Sequence, residues 1–296
     1  MIKFRHILLI AIISVLIYAC GSDSNGGDDD YDAAEQSLID NDSILGFLSN
    51  FYYDADVDSI KELTTGETAL INDDKLFTQN ITEDDVDYTL YYYLFEQGVS
   101  SINPETNELK GNPTVVDSVL VDYYGQRIVR TDSISLVFDN NTSIWLALSS
   151  TIKGWAYGFT NFKGGENVTD NGPITYANAG KGLLFIPSGL AYANAGSGAI
   201  LANEPILFNV SLLDLVEDTD VDLDGVPSID EDVDGDGKPW NDDTDGDLIA
   251  NLFDSDDDGD GVLTIDEDAN GDGDPTNDFN DPANPTIPDY LNFDIR

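Results

Sequence analysis

The sequence predicts an α+β chain in three parts: a helical N-terminal segment, a sheet domain carrying one short helix, and a C-terminal module of acidic loops with little regular structure. Three observations predict it. Over 205–216, Ile206, Phe208, Val210 and Leu212 alternate with other residues, the two-residue period of a strand that buries one face. In Thr151-Ile152-Lys153-Gly154-Trp155-Ala156-Tyr157-Gly158, a tryptophan follows a β-branched pair and a glycine and opens a turn or two of aromatic-rich helix. Such a tryptophan either fills a core or floors a pocket. Past Leu213 the composition turns sharply acidic.

Composition excludes several function classes. With 12 Lys+Arg against 58 Asp+Glu, the chain lacks the basic face that nucleic-acid phosphates require, so no nucleic-acid partner is expected. His6 and Cys20 are the one histidine and the one cysteine. The body of the chain therefore cannot carry Cys-His or Ser-His-Asp catalysis, a His/Cys zinc site or an internal disulfide.

In chain order, Lys3, Arg5 and His6 precede an apolar run over 7–18, then Ala19-Cys20. A mainly apolar run of twelve residues is short for a bilayer span, and a charged start before it reads as a secretory signal over 1–19. Ile17-Tyr18-Ala19-Cys20 resembles the lipobox of bacterial lipoproteins, which implies that Cys20 is acylated and becomes the mature N-terminus. An ordinary signal peptide with a chance cysteine is the alternative. Residues 20–32, rich in Gly, Ser, Asn and Asp, read as a flexible acidic tether. Their acidity also resembles a surface-export signal of some Gram-negative lipoproteins, and a plain linker explains it equally well. The expected location is the cell envelope, lipid-anchored at the outer membrane, on either face.

Residues 33–88 are expected to form a helical extension, in which Leu38, Leu45, Leu48 and Tyr52 share one face and pack on the chain's own domain. The aromatic, β-prone stretch 89–95 reads as the first strand of the sheet.

Over 89–216 several motifs resemble, in order, those of the FKBP family of peptidyl-prolyl cis-trans isomerases. Val119-Leu120-Val121-Asp122-Tyr123-Tyr124-Gly125 is similar to V-x-V-x-Y-x-G, Phe138-Asp139 to F-D, and Ile144-Trp145-Leu146-Ala147-Leu148 to F-x-F-x-L. Thr151 to Gly158 is similar to V-I-x-G-W-x-x-G, and Leu184-Phe185-Ile186-Pro187 with Leu190-Ala191-Tyr192 to L-x-I-P-x-x-L-A-Y. Gly198-Ala199-Ile200-Leu201-Ala202-Asn203 stands where G-x-I-P-P-N is usual, and 206–213 resembles L-x-F-x-V-x-L-L. The resemblance implies a twisted antiparallel sheet wrapped round a short helix. Its strands would lie near 89–95, 115–124, 133–139, 143–148, 182–186 and 205–216, and its helix near 155–162.

The resemblance also implies a chemistry that suits what the chain lacks. Rotation about an X-Pro amide faces a barrier of about 18–20 kcal/mol, and the twisted state is less polar than the planar one. A pocket that binds the twisted form better needs neither proton transfer nor a covalent bond, so no cofactor is expected for catalysis. Trp155 would lie under the proline ring, with Tyr123, Phe138, Ile152 and Phe208 as walls, and with Tyr192 and Asp139 at the rim. The Ile152 N–H would hold the substrate carbonyl, and Ile144, Thr151 and Ile200 would complete the binding surface. For each apolar member simple core packing is the alternative. Ile144 replaces an aromatic wall, Leu201-Ala202 replace Pro-Pro, and 166–181 enlarges a loop, so turnover and substrate preference depart from the family more than the fold does. The implied partners are proline-containing polypeptides among exported proteins, or peptide ligands held without turnover.

From 217 to 296 there are 28 acidic residues, opposed by Lys238 and Arg296. Asp220, Asp222, Asp224, Gly225 and Glu231 fit D-x-D-x-D-G-x5-E, and Asp256, Asp258, Asp260, Gly261 and Glu267 repeat it 36 residues on. A second loop follows each: Asp232, Asp234, Asp236 and Asp243 after the first, and Asp268, Asn270 and Asp272, with Phe279 at the twelfth position, after the second. Oxygen donors at alternating positions, glycine at the sixth and an acid at the twelfth suit calcium, here structural. Lacking flanking amphipathic helices, the loops resemble thrombospondin type 3 or dockerin-like repeats more than paired EF-hands, with a solvated acidic tail as the alternative. Without the ion, the module is expected to unfold while the sheet domain stays nearly unaffected.

Overall fold

The structure, a computed structural model, describes residues 31–296 except Glu105, Asp132 and the side chain of Arg130. The expected signal segment, Cys20 and most of the tether lie outside the described residues. Residues Ala33–Arg296 form one compact unit.

The fold is α+β. Helix α1 (Ala33–Asn50) leads into a small hairpin of β1 (Phe51–Asp54) and β2 (Ser59–Glu62). The main sheet contains β3 (Leu76–Glu83), β4 (Val86–Glu96), β5 (Ser118–Arg130), β6 (Ser133–Ile134), β7 (Asp139–Ala147), β10 (Gly180–Ile186) and β11 (Ile206–Val216). Its order is β3-β4-β10-β11-β5-β6, with β7 also on β5, and every pairing is antiparallel. Between β7 and β10 come helix α2 (Lys153–Phe159) and a two-residue hairpin, β8 (Glu166–Asn167) with β9 (Tyr176–Ala177), which is the fold of the enlarged loop.

Both faces of the sheet are buried. One packs on α2: Leu90, Val119, Val121, Leu184, Ile186, Phe208, Val210 and Leu212 close over Trp155, Phe159 and Phe162. Opposite, the alternate residues Tyr91, Tyr93, Leu183, Phe185 and Leu207 meet Ile44, Phe47 and Leu48 of α1. A strand buried on both sides loses its alternation, which is why β10 reads as a continuous apolar run. Glycine lets α2 approach the sheet: a Cβ on Gly154 would collide with Ile186, and one on Gly158 would stand 2.8 Å from Leu184 Cδ1.

Four expectations are corrected. Of the helical extension over 33–88, only α1 is helical. The inward stripe of α1 runs through Ser37, Asp40, Ile44, Phe47 and Leu48, whereas Leu38 is 67% exposed and Tyr52 lies in β1. Two polar residues opened that stripe and hid it; Ser37 Oγ is satisfied by the Asp87 carbonyl at 2.8 Å. The first strand of the sheet is β3, not 89–95. As a half-exposed edge strand, β3 shows little apolar pattern, and its two-residue turn to β4 uses Asp84 and Asp85 (φ 48° and 62°) rather than glycine. Finally, the expected strands 133–139 and 143–148 are redistributed. Only Ser133–Ile134 pair at the first, and β7 begins at Asp139, its polar start and the left-handed Ser143 (φ 49°) concealing a mostly exposed edge strand.

The C-terminal module has short 3-10 turns and no strands among its described residues. Val226, Leu252 and Tyr290 are its largest buried apolar side chains. No described helix is long and apolar enough to cross a membrane.

Candidate functional site: an aromatic cleft and a set of acidic loops

On the α2 side of the sheet lies a cleft of about 500 Å³, lined by Tyr123, Asp139, Leu146, Ser150, Thr151, Ile152, Lys153, Trp155, Ala191, Tyr192 and Phe208. Trp155 is its floor, 4% exposed. Tyr123 and Phe208 stand edge-on to the indole at 4.9 and 5.0 Å between centroids, the arrangement that aromatic quadrupoles favour. Phe138 backs the wall rather than lining it, edge-on to Phe208 at 5.6 Å. Gly125 allows this stack, since a Cβ there would lie 2.6 Å from both Phe138 and Phe208.

Polar groups gather at the rim. The Tyr123 hydroxyl donates to Asp139 Oδ2 at 2.9 Å. Burial, then this bond, pushes the Tyr123 phenol up to about 12, so it is neutral at physiological pH. Tyr192 is raised by burial and by the Asp139 charge. Ile152 is the N-cap of α2; its carbonyl accepts from Trp155 N at 2.9 Å, and its own N–H meets no acceptor among the described residues. The cleft thus offers an apolar floor, one open backbone donor and neutral phenols.

Of the predicted residues, Tyr123, Asp139, Thr151, Ile152, Trp155, Tyr192 and Phe208 meet in this cleft. Ile144 and Ile200 do not line it. Ile200 is 5% exposed in the core, and Ile144 packs on that core opposite Val121. Sequence reasoning missed Leu146, Ser150, Lys153 and Ala191. Leu146 was legible, because it shares a face with Ile144 in the same strand. Lys153 was not, because its environment comes from the far module: its Nζ lies 3.2 Å above the Trp240 ring, and Tyr157 stands edge-on to that ring at 5.8 Å. Burial pushes the Lys153 ammonium down to about 8, while the charges of Glu83 and Asp84 act against the shift.

The acidic loops share one backbone design. They open at Asp220, Asp232, Asp243, Asp256 and Asp268, and in each the opening carboxylate accepts the N–H of the sixth residue at 2.7 to 3.2 Å. The fourth and sixth residues are left-handed in all five, including Leu223 (φ 67°) and Leu248 (φ 80°), where a side chain costs strain that glycine avoids. Asp243 is therefore corrected. Rather than closing the loop begun at Asp232, it clusters with Asp245 and Asp247 and opens a loop of its own, hidden in the sequence by Leu248 at the glycine position.

Asp220, Asp222 and Asp224 bring oxygens within 4.8 Å of one another, as do Asp232, Asp234 and Asp236, and Asp256, Asp258 and Asp260. Glu231 groups with Asp224 and with Asp257, a residue not predicted. Around Asp268 the donors bond one another instead: Asn270 Nδ2 donates to Asn277 Oδ1 at 2.6 Å, and Asn277 Nδ2 to Asp272 Oδ2 at 3.2 Å. Glu231 and Glu267, 0% and 5% exposed, have no hydrogen-bond partner on either oxygen, and Asp222, Asp224, Asp258 and Asp260 also hold orphaned oxygens. Burial, then neighbouring carboxylates, pushes Glu231 up to about 10 and Glu267 to about 8. Buried acceptors without donors, converging in loops whose backbone is already turned, suit a hard cation with oxygen ligands.

The fold and cleft define an α+β domain whose cleft presents an apolar floor with polar groups, Asp139 and Lys153 among them, at its rim. Solved structures similar to the chain include FkpA from Escherichia coli, 28% identical, matching 47% of this chain and 52% of that one at a TM-score of 0.33. They also include a peptidyl-prolyl cis-trans isomerase from Pseudomonas syringae pv. tomato (18% identical, 65% of this chain and 100% of that one, TM-score 0.37). The N-terminal domain of FKBP42 from Arabidopsis thaliana is a third (15% identical, 43% of this chain and 87% of that one, TM-score 0.31). The chain thus spans about half the length of FkpA. No protein-family description and no curated protein matches it.

Proposed function

We propose that the chain is an FKBP-type peptidyl-prolyl cis-trans isomerase that assists the folding of exported proteins, anchored to the envelope through lipid on Cys20 and carrying a calcium-stabilised C-terminal module. The observation that carries this reading is the buried Trp155 floor beneath the Tyr123–Asp139 pair and the open Ile152 N–H. A proline ring on the indole loses water, and the planar X-Pro amide, the more dipolar state, loses more solvation than the twisted one. Ile152 N–H and the Tyr192 hydroxyl donate to peptide carbonyls and hold the chain on one side of the rotating bond. No step transfers a proton. Calcium at the acidic loops would be held by Asp220, Asp222, Asp224 and Glu231, by Asp256, Asp258, Asp260 and Glu267, and more openly by Asp232, Asp234 and Asp236 and by Asp243, Asp245 and Asp247. Bound there, it supplies charge neutralisation and folding free energy.

A proline-limited refolding assay tests the activity: the purified chain is expected to accelerate the slow phase in proportion to its concentration. Absence of acceleration at high enzyme concentration would hand the cleft to a second reading, a peptide-binding or chaperone surface without turnover. That reading is favoured by the exposed apolar side chains Leu136, Trp145 and Leu201.

A further inference from the structure

The loops that open at Asp220 and Asp256 are copies 36 residues apart, and the copying extends to their supports. In the first, Val221 N donates to Ser228 Oγ at 3.1 Å; in the second, Asp257 N donates to Thr264 Oγ1 at 3.3 Å. The two loops differ at that second position, where one has valine and the other a carboxylate. A loop of this kind draws its side-chain ligands from alternating positions and the twelfth, so Asp257 is not placed for an ion in its own loop.

Its carboxylate reaches the other repeat instead. One oxygen each of Asp224, Glu231 and Asp257 lies within 4.8 Å of the other two. All three residues are at most 1% exposed. Asp257 Oδ2 accepts from the Thr264 hydroxyl at 3.3 Å, whereas Asp257 Oδ1, Asp224 Oδ2, both Glu231 oxygens and both Asp222 oxygens are buried without a partner. Four of these orphaned oxygens belong to the Asp224–Glu231–Asp257 group and two to Asp222, which converges on Asp224 with Asp220; a calcium shell takes about six to eight. Among the described residues no ion pair reaches this cluster, while Arg296 Nε sits 3.2 Å from Asp260 in the second loop. With Thr264 on Asp257 Oδ2 and the Val226 N–H on Asp224 Oδ1 as its donors and no counter-charge, this buried group of carboxylates is under-compensated as a protein-only arrangement.

We propose that this first metal centre is built across the two repeats, with Asp222, Asp224 and Glu231 from one and Asp257 from the other bound to the same divalent cation. This rests on the calcium reading above and deepens it: the ion is a staple between repeats rather than an ornament of one loop. Each repeat is then incomplete without the other, and the two fold as a unit.

Terbium(III), a luminescent stand-in for calcium, tests this on the full mature chain. Tyr290 is 3% exposed, raised first by burial and then by the charges of Asp257, Glu231 and Asp224, and it serves as the sensitising ring. Asp257→Asn keeps an acceptor for Thr264, and Asp257→Val restores the residue of the first repeat. Both are expected to weaken the tyrosine-sensitised site at least about tenfold, the loss typical of disturbed metal ligation. They should also remove its share of the heat in a calcium titration. Tyr290→Phe should silence the emission while leaving calcium affinity unchanged. Asp266→Asn, an exposed carboxylate of the same repeat, controls for loss of one charge. Affinity in both Asp257 variants equal to that of Asp266→Asn overturns the bridge and leaves a calcium module. No ion bound by the wild-type chain overturns both.

Discussion

Asp40 ties the N-terminal helix to the cleft, and removing it is the sharpest test of how the two depend on each other. It is 1% exposed on α1. Its Oδ2 accepts the Ser188 N–H at 2.6 Å, and its Oδ1 accepts from Gln36 Nε2 at 2.7 Å. Ser188 opens the turn Ser188–Leu190, which delivers Ala191 and Tyr192 to the cleft. Asp40→Ala deletes a charged hydrogen bond and strands a buried N–H, a cost of about 3 kcal/mol, or a Tm lower by roughly 6–12 °C. With Tyr192 displaced, kcat/KM should fall about tenfold, in line with the penalty for misplacing a binding group. Asp40→Asn should cost less than about 1 kcal/mol, since its amide oxygen can serve Ser188 while Gln36 turns its carbonyl inward. Burial raises the Asp40 carboxyl above its ordinary 3.8, against the hydrogen bonds. The stability it contributes is therefore complete below 3.8 and is lost as pH rises through the raised pKa, so Asp40→Asn should gain on the wild type as pH rises above about 4. Thermal melts across that range with refolding kinetics at each pH decide it. Wild-type melting in Asp40→Ala, or equal damage from Ala and Asn at pH 7, would refute the reasoning.

Gly154→Ala should cost about 1–3 kcal/mol in urea denaturation, because its methyl meets Ile186 and α2 must lift from the sheet. Tyr123→Ala and Asp139→Val should abolish isomerisation with the fold intact by circular dichroism, whereas Trp155→Ala should lose about 3–5 kcal/mol of stability as well. A chelator should make 217–296 protease-sensitive and millimolar calcium should protect it, with magnesium a poor substitute because it demands a tighter octahedral shell. Cys20→Ala should release the protein from the membrane fraction or leave it unprocessed, as read by detergent partitioning and mass spectrometry of the N-terminus.

The sequence carried the parts of the fold in which one residue type has one use. Ile206, Phe208, Val210 and Leu212 alternate as a strand face does, and Trp155 after Gly154 read as core filler or pocket floor, of which the structure makes it the buried floor of the cleft. It was silent where polar residues are satisfied locally. Asp40 and Ser37 look like solvent-facing helix positions until their partners Ser188 and Asp87 arrive from distant strands and turns. The second face of β10 and β11 was visible in Leu183, Phe185 and Leu207, but a continuous apolar run does not say what will cover it. In the module, the glycine rule found four loops and lost the fifth to Leu248, whose backbone turns left-handed despite its side chain. Lys153 entered the cleft unannounced because Trp240, the residue it meets, lies in another segment of the chain.

That meeting makes the cleft rim a joint product of two segments. Trp240 sits within the loop that opens at Asp232, and its ring faces Lys153, the residue next to the Ile152 N–H. Thr219 is stitched to the sheet in addition, its Oγ1 taking the Ser118 N–H at 2.8 Å. A sheet domain excised at Val216 would forfeit both, and with them the aromatic shield over an ammonium at the mouth of the cleft. The piece cut at Val216 would keep 30 Asp+Glu and 10 Lys+Arg, with the Lys153 ammonium uncovered at the cleft, where the intact protein lays an indole ring over it. Peptide preference measured on the excised piece would be that of a different surface.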